Sequence, residues 1–279
     1  MMRLNPKTTQ FLAKGVIWGS ALLVIVLLLF ILLFVLIKGV PTLSWQFLTE
    51  NPRDMGRSGG IFSTIVSTIL VTLVSVAVAT PFGVGTALYL TEFTREGLAT
   101  RIIRFSADTL AAIPSIVYGL FGFIFFVINL NMGWSILSGG LTMAMMILPT
   151  IIRTSEEAIL AIHPLYREVS FSLGGTKMQT ILGAVLPSAL RGIMTGVILS
   201  IGRCVAETAA VILTAGSSLR LPESVFSPAR TMAVHFYILV REGISMERAY
   251  GTAAALILLI LIINFGANML INRFVAKNH

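Results

Sequence analysis

The chain has 279 residues, of which 56% are hydrophobic and 11% charged, with 20 Lys and Arg against 12 Asp and Glu and a single cysteine, Cys204. A soluble domain carries about 25% charged residues, so this balance excludes an ordinary soluble enzyme, a disordered chain and a disulfide framework. The formal charge of +8 is spread thinly between long uncharged stretches, a pattern of topology signals and not of a nucleic-acid surface.

A helix needs about 20 apolar residues to cross a hydrocarbon core of ~30 Å, so the gaps between charges locate the spans. The 23 residues between Lys14 and Lys38 predict an uncleaved first span, too long for a secretory signal. Another 34 uncharged residues between Arg57 and Glu92 predict a second, with Pro81 near its end. Within it Thr64, Thr68 and Thr72 share a stripe that suits helix packing better than ligand binding. The 44 uncharged residues between Asp108 and Arg153 divide at the polar turn Asn129 to Gly133. That gives a third span near 109 to 128, with Asp108 as its interfacial cap, and a fourth near 135 to 152. Pro114 bends or ends a helix, Gly119 and Gly122 read as packing positions, and Met143, Met145 and Met146 as lipid-facing or core filler. Glu156 and Glu157, adjacent at the membrane edge, read as solvated.

Segment 153 to 186 is too polar to span. Pro164 fits the first turn of a helix whose apolar stripe is Leu165, Val169 and Leu173, and Gly174-Gly175 ends it. Thr176 followed by Gln179 is a capping-box pattern, predicting a second short helix up to the boundary at Leu186-Pro187. Two short surface helices suit either a hairpin lying in the headgroups or a docking element for a partner. The fifth span, from Pro187 to about Ala215, contains Arg203 and Glu207. On one continuous helix Gly192, Gly196, Ser200, Arg203, Glu207 and Thr214 share an arc of roughly 80°, with the two charges four residues apart and able to pair. Charges at that depth cost about 2.5–3.5 kcal/mol each and mark a site by default. Either the pair fixes helix packing, or the face lines a path on which a guanidinium receives an oxyanion in competition with Glu207. Loop 216 to 249 has a short helical pattern around Thr231 to Arg241. The sixth span lies between Arg248 and Arg273.

With cytoplasmic termini the inner segments hold twelve Lys and Arg and the outer ones seven, so the positive-inside rule places both termini in the cytoplasm. No GxxxxGK[ST] occurs, so ATP hydrolysis is expected in another subunit. The three histidines and one cysteine lie far apart, and no metal and no cofactor is expected in this chain.

Glu168, Gly174 six residues later and Leu186-Pro187 twelve after that resemble the EAA loop of ABC-importer permeases, although Val169 and Ser170 stand where two alanines are usual and Ala184 where isoleucine is usual. The resemblance implies an ATPase-coupling role for Glu168, Gly174, Leu186 and Pro187. Four further stretches, AAIPSIVYGLFG from Ala111, REVSFSLGGTKMQTILGAVLP from Arg167, GRCVAETAAV from Gly202 and the segment Val234 to Leu258, are similar to the PstA type of phosphate-importer permease. This similarity implies an all-α integral membrane protein with six transmembrane helices and a type I, MetI-like importer core. The core would cover 61 to 269, with the coupling loop at 153 to 187. Residues 1 to 60 would hold the cytoplasmic N-terminus, first span and outer loop, and 270 to 279 a cytoplasmic tail. It further implies a cytoplasmic-membrane permease subunit for inorganic phosphate with Arg203, more than Glu207, on the substrate pathway. The partners it implies are a PstC-type permease, a PstB-type ATPase dimer that binds ATP and Mg, and an external PstS-type phosphate-binding protein. Sulfate or molybdate would suit the same guanidinium. A secondary carrier would need a coupling-ion site and repeated halves, which the sequence does not display.

Overall fold

The structure, a computed structural model, describes residues 6 to 95 and 97 to 276. Helix α1 (Pro6–Gly39) leads through an outer segment containing α2 (Trp45–Thr49) and a two-residue hairpin, β1 (Pro52–Arg53) and β2 (Ser58–Gly59). Helix α3 (Phe62–Leu88) continues through a wider π turn at Tyr89–Phe93. Then come α4 (Leu98–Ala112), α5 (Ser115–Gly122) with its π-helical extension Phe123–Asn129, and α6 (Ile136–Leu160). The second half holds α7 (Leu165–Ser172), α8 (Lys177–Thr180), α9 (Leu186–Ala206), α10 (Ala209–Thr214), α11 (Met232–Arg241) and α12 (Met246–Ala276). Five helices are long and apolar enough to cross a membrane, and the bent α4–α5 pair supplies a sixth crossing, so the expected all-α, six-span architecture is present.

Lipid is as apolar as leucine, so helices in a membrane are held together by close packing of small residues and not by hydrophobic transfer. That rule accounts for the centre of the bundle. A Cβ on Gly83 would lie 2.6 Å from the Ile151 side chain, one on Gly139 2.8 Å from Ala215, and one on Gly192 2.5 Å from Ala158. Gly119 and Gly122 likewise admit Ala210 and Thr142. Thr64, Thr68, Met143 and Met146 are buried, as packing positions should be. In contrast α1 meets α12 where Gly39 fits against Tyr250 and Ala254, and its apolar side chains from Val16 to Phe34 are exposed, as lipid contact requires.

Three boundaries differ from expectation. The third span does not begin at 109: α4 runs through that position to Ala112, the chain turns by 100° at Ile113-Pro114, and α5 follows, so the span is a bent pair of helices. Proline forces its predecessor out of the helical region, and Ile113 is extended (φ −68, ψ 131). Asp108 is therefore inside α4 and ion-paired to Arg153, not a cap. Span four also continues to Leu160, because Arg153 and Glu156 are matched across to α4 by Asp108 and Arg104, and paired charges do not end a helix. Glu156 is buried, not solvated. Finally, there is no boundary at Leu186-Pro187. The helix from Lys177 runs unbroken to Ala206, and a π turn over Ile181–Val185 absorbs the hydrogen-bond donor that Pro187 lacks.

Candidate functional site

At one end of the bundle α7 and α8 form a compact hairpin. Gly174 turns the chain with φ +81, and a Cβ on Gly175 would stand 2.8 Å from the Ser170 carbonyl, so both positions favour glycine. The capping box is complete: Thr176 N–H donates to Gln179 Oε1 at 2.8 Å and Gln179 N–H to Thr176 Oγ1 at 3.4 Å. Ser170 and Thr180 hydroxyls join the two helices at 2.8 Å. Leu165, Val169 and Leu173 are exposed, and with Tyr166, Gln179 and Ala184 they border an open groove of about 580 Å³. Glu168 is exposed on α7 and Gly174 forms the turn, so these two predicted coupling residues share the hairpin. Leu186 and Pro187 do not. Leu186 packs against the cluster of Ala87, Ile159 and Val185, at the start of α9.

Sequence reasoning missed what fastens this hairpin. Arg167 donates from Nε and Nη2 to Glu92 Oε1 at 3.0 and 2.7 Å, and from Nη1 and Nη2 to the carbonyls of Ile162 and Ile159 at 3.1 and 3.2 Å. Lys177 lies 5.0 Å from the ring centroid of Phe93. Both contacts end on the π turn that continues α3. The only signal was that Glu92 closes an uncharged gap, since nothing local links residues 75 positions apart.

The expected polar face on span five is not one face. Gly196 and Ser200 are buried in the seam with α6, where a Cβ on Gly196 would lie 2.7 Å from Thr154 Cβ. Helix α9 ends at Ala206, and Glu207 is extended (φ −75, ψ 134). Its carboxylate folds over the start of α10, accepting from the N–H groups of Thr208, Ala209 and Ala210 at 3.2, 3.0 and 3.3 Å. Consequently the expected Arg203–Glu207 pair is absent from the ion pairs of the described residues, and Thr214 is buried in α10 instead of aligned with Arg203. A competing, locally solved demand explains this: three orphan amide protons at a helix start hold a carboxylate more firmly than one exposed guanidinium.

Arg203 itself is exposed, with the buried Tyr118 of α5 inside the reach of its charge. Its depth follows from helix geometry. Gly196 faces Thr154, which lies ~27 Å along α6 from Ile136, and Arg203 lies ~10 Å back towards that end along α9. The Arg203 backbone is therefore ~16 Å along the bundle from the level of Ile136, about half the ~30 Å that a hydrocarbon core spans.

Above that level loop 215 to 231 lies over the ends of α3 and α6. Ile136 N–H donates to the Ser227 carbonyl at 3.1 Å, Ser63 Oγ to the Leu219 carbonyl at 2.8 Å and Met232 N–H to Thr68 Oγ1 at 2.9 Å. Arg230, 4% exposed, donates to the Ser217 carbonyl at 2.8 Å and abuts His235. Burial lowers the Arg230 pKa, and burial together with that cation pushes His235 down to about 3.

Residues 79–278 match the family model described as "Binding-protein-dependent transport system inner membrane component". The chain is 31% identical to the probable ABC transporter permease protein YqgI of Bacillus subtilis, over 96% of each chain. It is 31% identical to the phosphate transport system permease protein PstA of Pasteurella multocida, over 94% of this chain and 91% of that one. In fold it is similar to a chain of a bacterial alginate ABC transporter crystallised with an alginate-bound periplasmic protein, with a TM-score of 0.70 at 14% identity over 96% of each. The chain belongs to the binding-protein-dependent transport system inner membrane components, as a multi-pass ABC-importer permease of the PstA type.

Proposed function

We propose that the chain is the permease subunit of an ATP-driven importer of inorganic phosphate, and that Arg203 is its anion contact. The observation that carries this reading is an exposed arginine, set by helix rise about half-way along the bundle, with Glu207, four residues on, engaged by three backbone amides. Exposing a guanidinium there to lipid is costly, so Arg203 faces a water-filled path or a partner protein. Its fork of donors matches phosphate oxygens, and one such contact binds weakly enough to release what it admits. Glu207 keeps a different role from the one the spacing suggested: it fixes the break between α9 and α10, and irregular backbone at that depth belongs beside a cavity or within protein.

One six-span chain offers one wall, so a second permease of PstC type completes the pathway. The hairpin carrying Glu168 and Gly174 docks on a PstB-type ATPase, which binds ATP and Mg, while this chain holds no cofactor of its own. A PstS-type phosphate-binding protein delivers substrate to the side of loop 215 to 231. That arrangement puts both termini in the cytoplasm and makes 61 to 269 the transport core. The test is phosphate uptake by the assembled complex bearing Arg203→Gln. Uptake should fall at least tenfold with subunit composition unchanged, as expected for losing a charged hydrogen bond to the substrate. Unchanged uptake refutes the role of Arg203.

A further inference from the structure

We infer that Arg167 is a positioning residue that makes α3 and α6 move with the coupling hairpin as one body, through its bonds to Glu92 and to the carbonyls ending α6. This rests on the importer reading above. Among the described residues of α7, Arg167 bonds to both helix ends, reaching the π turn that continues α3 through Glu92, the last turn of α6 through Ile159 and the turn just after it through Ile162. The ion pair is largely withdrawn from solvent, its side chains 22% and 9% exposed, so it is little screened by water. The alternative contact, Lys177 on Phe93, reaches α3 alone.

The two helices so joined run in the same direction and interlock at both levels. A Cβ on Gly140 would overlap the Val74 side chain, and one on Gly83 would lie 2.6 Å from Ile151. Their far ends carry the loop from 215 to 231 through Ser63 and Ile136, and the start of α11 that follows it through Thr68. A displacement of the hairpin thus reaches that loop along α3 and α6 without passing through the broken helix of Arg203. Packed elements shift between discrete arrangements as units, and a link of this kind decides whether they do so together.

The experiment uses the whole complex, purified with its ATPase and reconstituted with the external binding protein, and reads phosphate uptake and ATP hydrolysis on the same preparation. Glu92→Gln should lower uptake about tenfold while ATP hydrolysis stays within about twofold, so that more ATP is spent per phosphate. Arg167→Lys, which keeps the charge but cannot hold the carboxylate and two carbonyls together, should lie between that variant and wild type. Glu92→Asp, which keeps the charge on a shorter arm, is measured beside them in case the glutamine variant fails to assemble, and should also raise ATP per phosphate. Proportional loss of both rates, or a wild-type ratio in the assembled variants, overturns the inference. A wild-type complex that imports no phosphate refutes the importer reading instead.

Discussion

Gly196→Ala tests the packing of α9 on α6. The new methyl would overlap Thr154 Oγ1 and lie 2.7 Å from Thr154 Cβ. Rotating the hydroxyl away relieves only the first contact and sacrifices its bonds to the Thr150 and Ile151 carbonyls, at 2.8 and 3.3 Å. The second contact involves a β-carbon attached to the backbone, so the helices must part, and overpacking of this kind costs about 1–3 kcal/mol. Alanine's better helix propensity returns ~1 kcal/mol, leaving a net loss of up to about 2 kcal/mol. Gly85→Ala in α3 has nothing within 4 Å of the added methyl and supplies the control, expected to stabilise by ~0.5–1 kcal/mol. Thr154→Gly should rescue Gly196→Ala by removing the obstructing carbon. Thermal unfolding of the purified chain in mild detergent, followed by intrinsic fluorescence, reads all four. Equal shifts for Gly196→Ala and Gly85→Ala would refute the seam.

Glu207→Ala leaves three amide groups at the start of α10 without their acceptor, so hydrogen exchange at Thr208, Ala209 and Ala210 should accelerate about tenfold, the equivalent of an N-cap worth ~1–2 kcal/mol. Unaltered exchange would mean that the carboxylate does not hold the break. Thr176→Val removes the acceptor of the capping box; about 1 kcal/mol of hairpin stability should be lost, seen as faster exchange in 176 to 180 while α9 beyond Leu186 is unchanged. His235 has a folded pKa of about 3, below its ordinary value, so the unfolded chain takes up the proton first. Stability is therefore complete above about pH 6.5 and falls towards pH 3 by up to ~1.4 kcal/mol per unit. Melting temperatures between pH 7.5 and 4.5 should fall more steeply for wild type than for His235→Asn, and identical slopes would contradict the burial of a neutral imidazole.

What the sequence displayed and what it hid divide along a physical line. Spans one, two and six are legible because an uncharged gap is a property of consecutive residues, and so is the Thr176–Gln179 box, whose partners are three positions apart. Gly119, Gly122 and the threonine stripe were legible as packing because small residues have few other uses inside a bundle. The gap rule failed where charge is matched in space: Arg153 and Glu156 read as the end of a span, yet Asp108 and Arg104 on α4 allow α6 to pass them. Glu207 failed for a related reason. Spacing of four suggested a pair with Arg203, but a helical spacing has meaning only if the helix continues, and the carboxylate's bonds to the next three amides are what interrupt it. Arg167 and Glu92 carried no local sign of each other, and α3 must fold beside α7 before their charges meet.

ATP-dependent accumulation of radiolabelled phosphate in proteoliposomes tests the central claim most directly, using the complex that copurifies with this chain and an external binding protein. Accumulation that requires ATP and persists in excess sulfate and molybdate is the predicted result. A complex that lacks an ATPase, or one whose phosphate uptake either oxyanion abolishes, contradicts it.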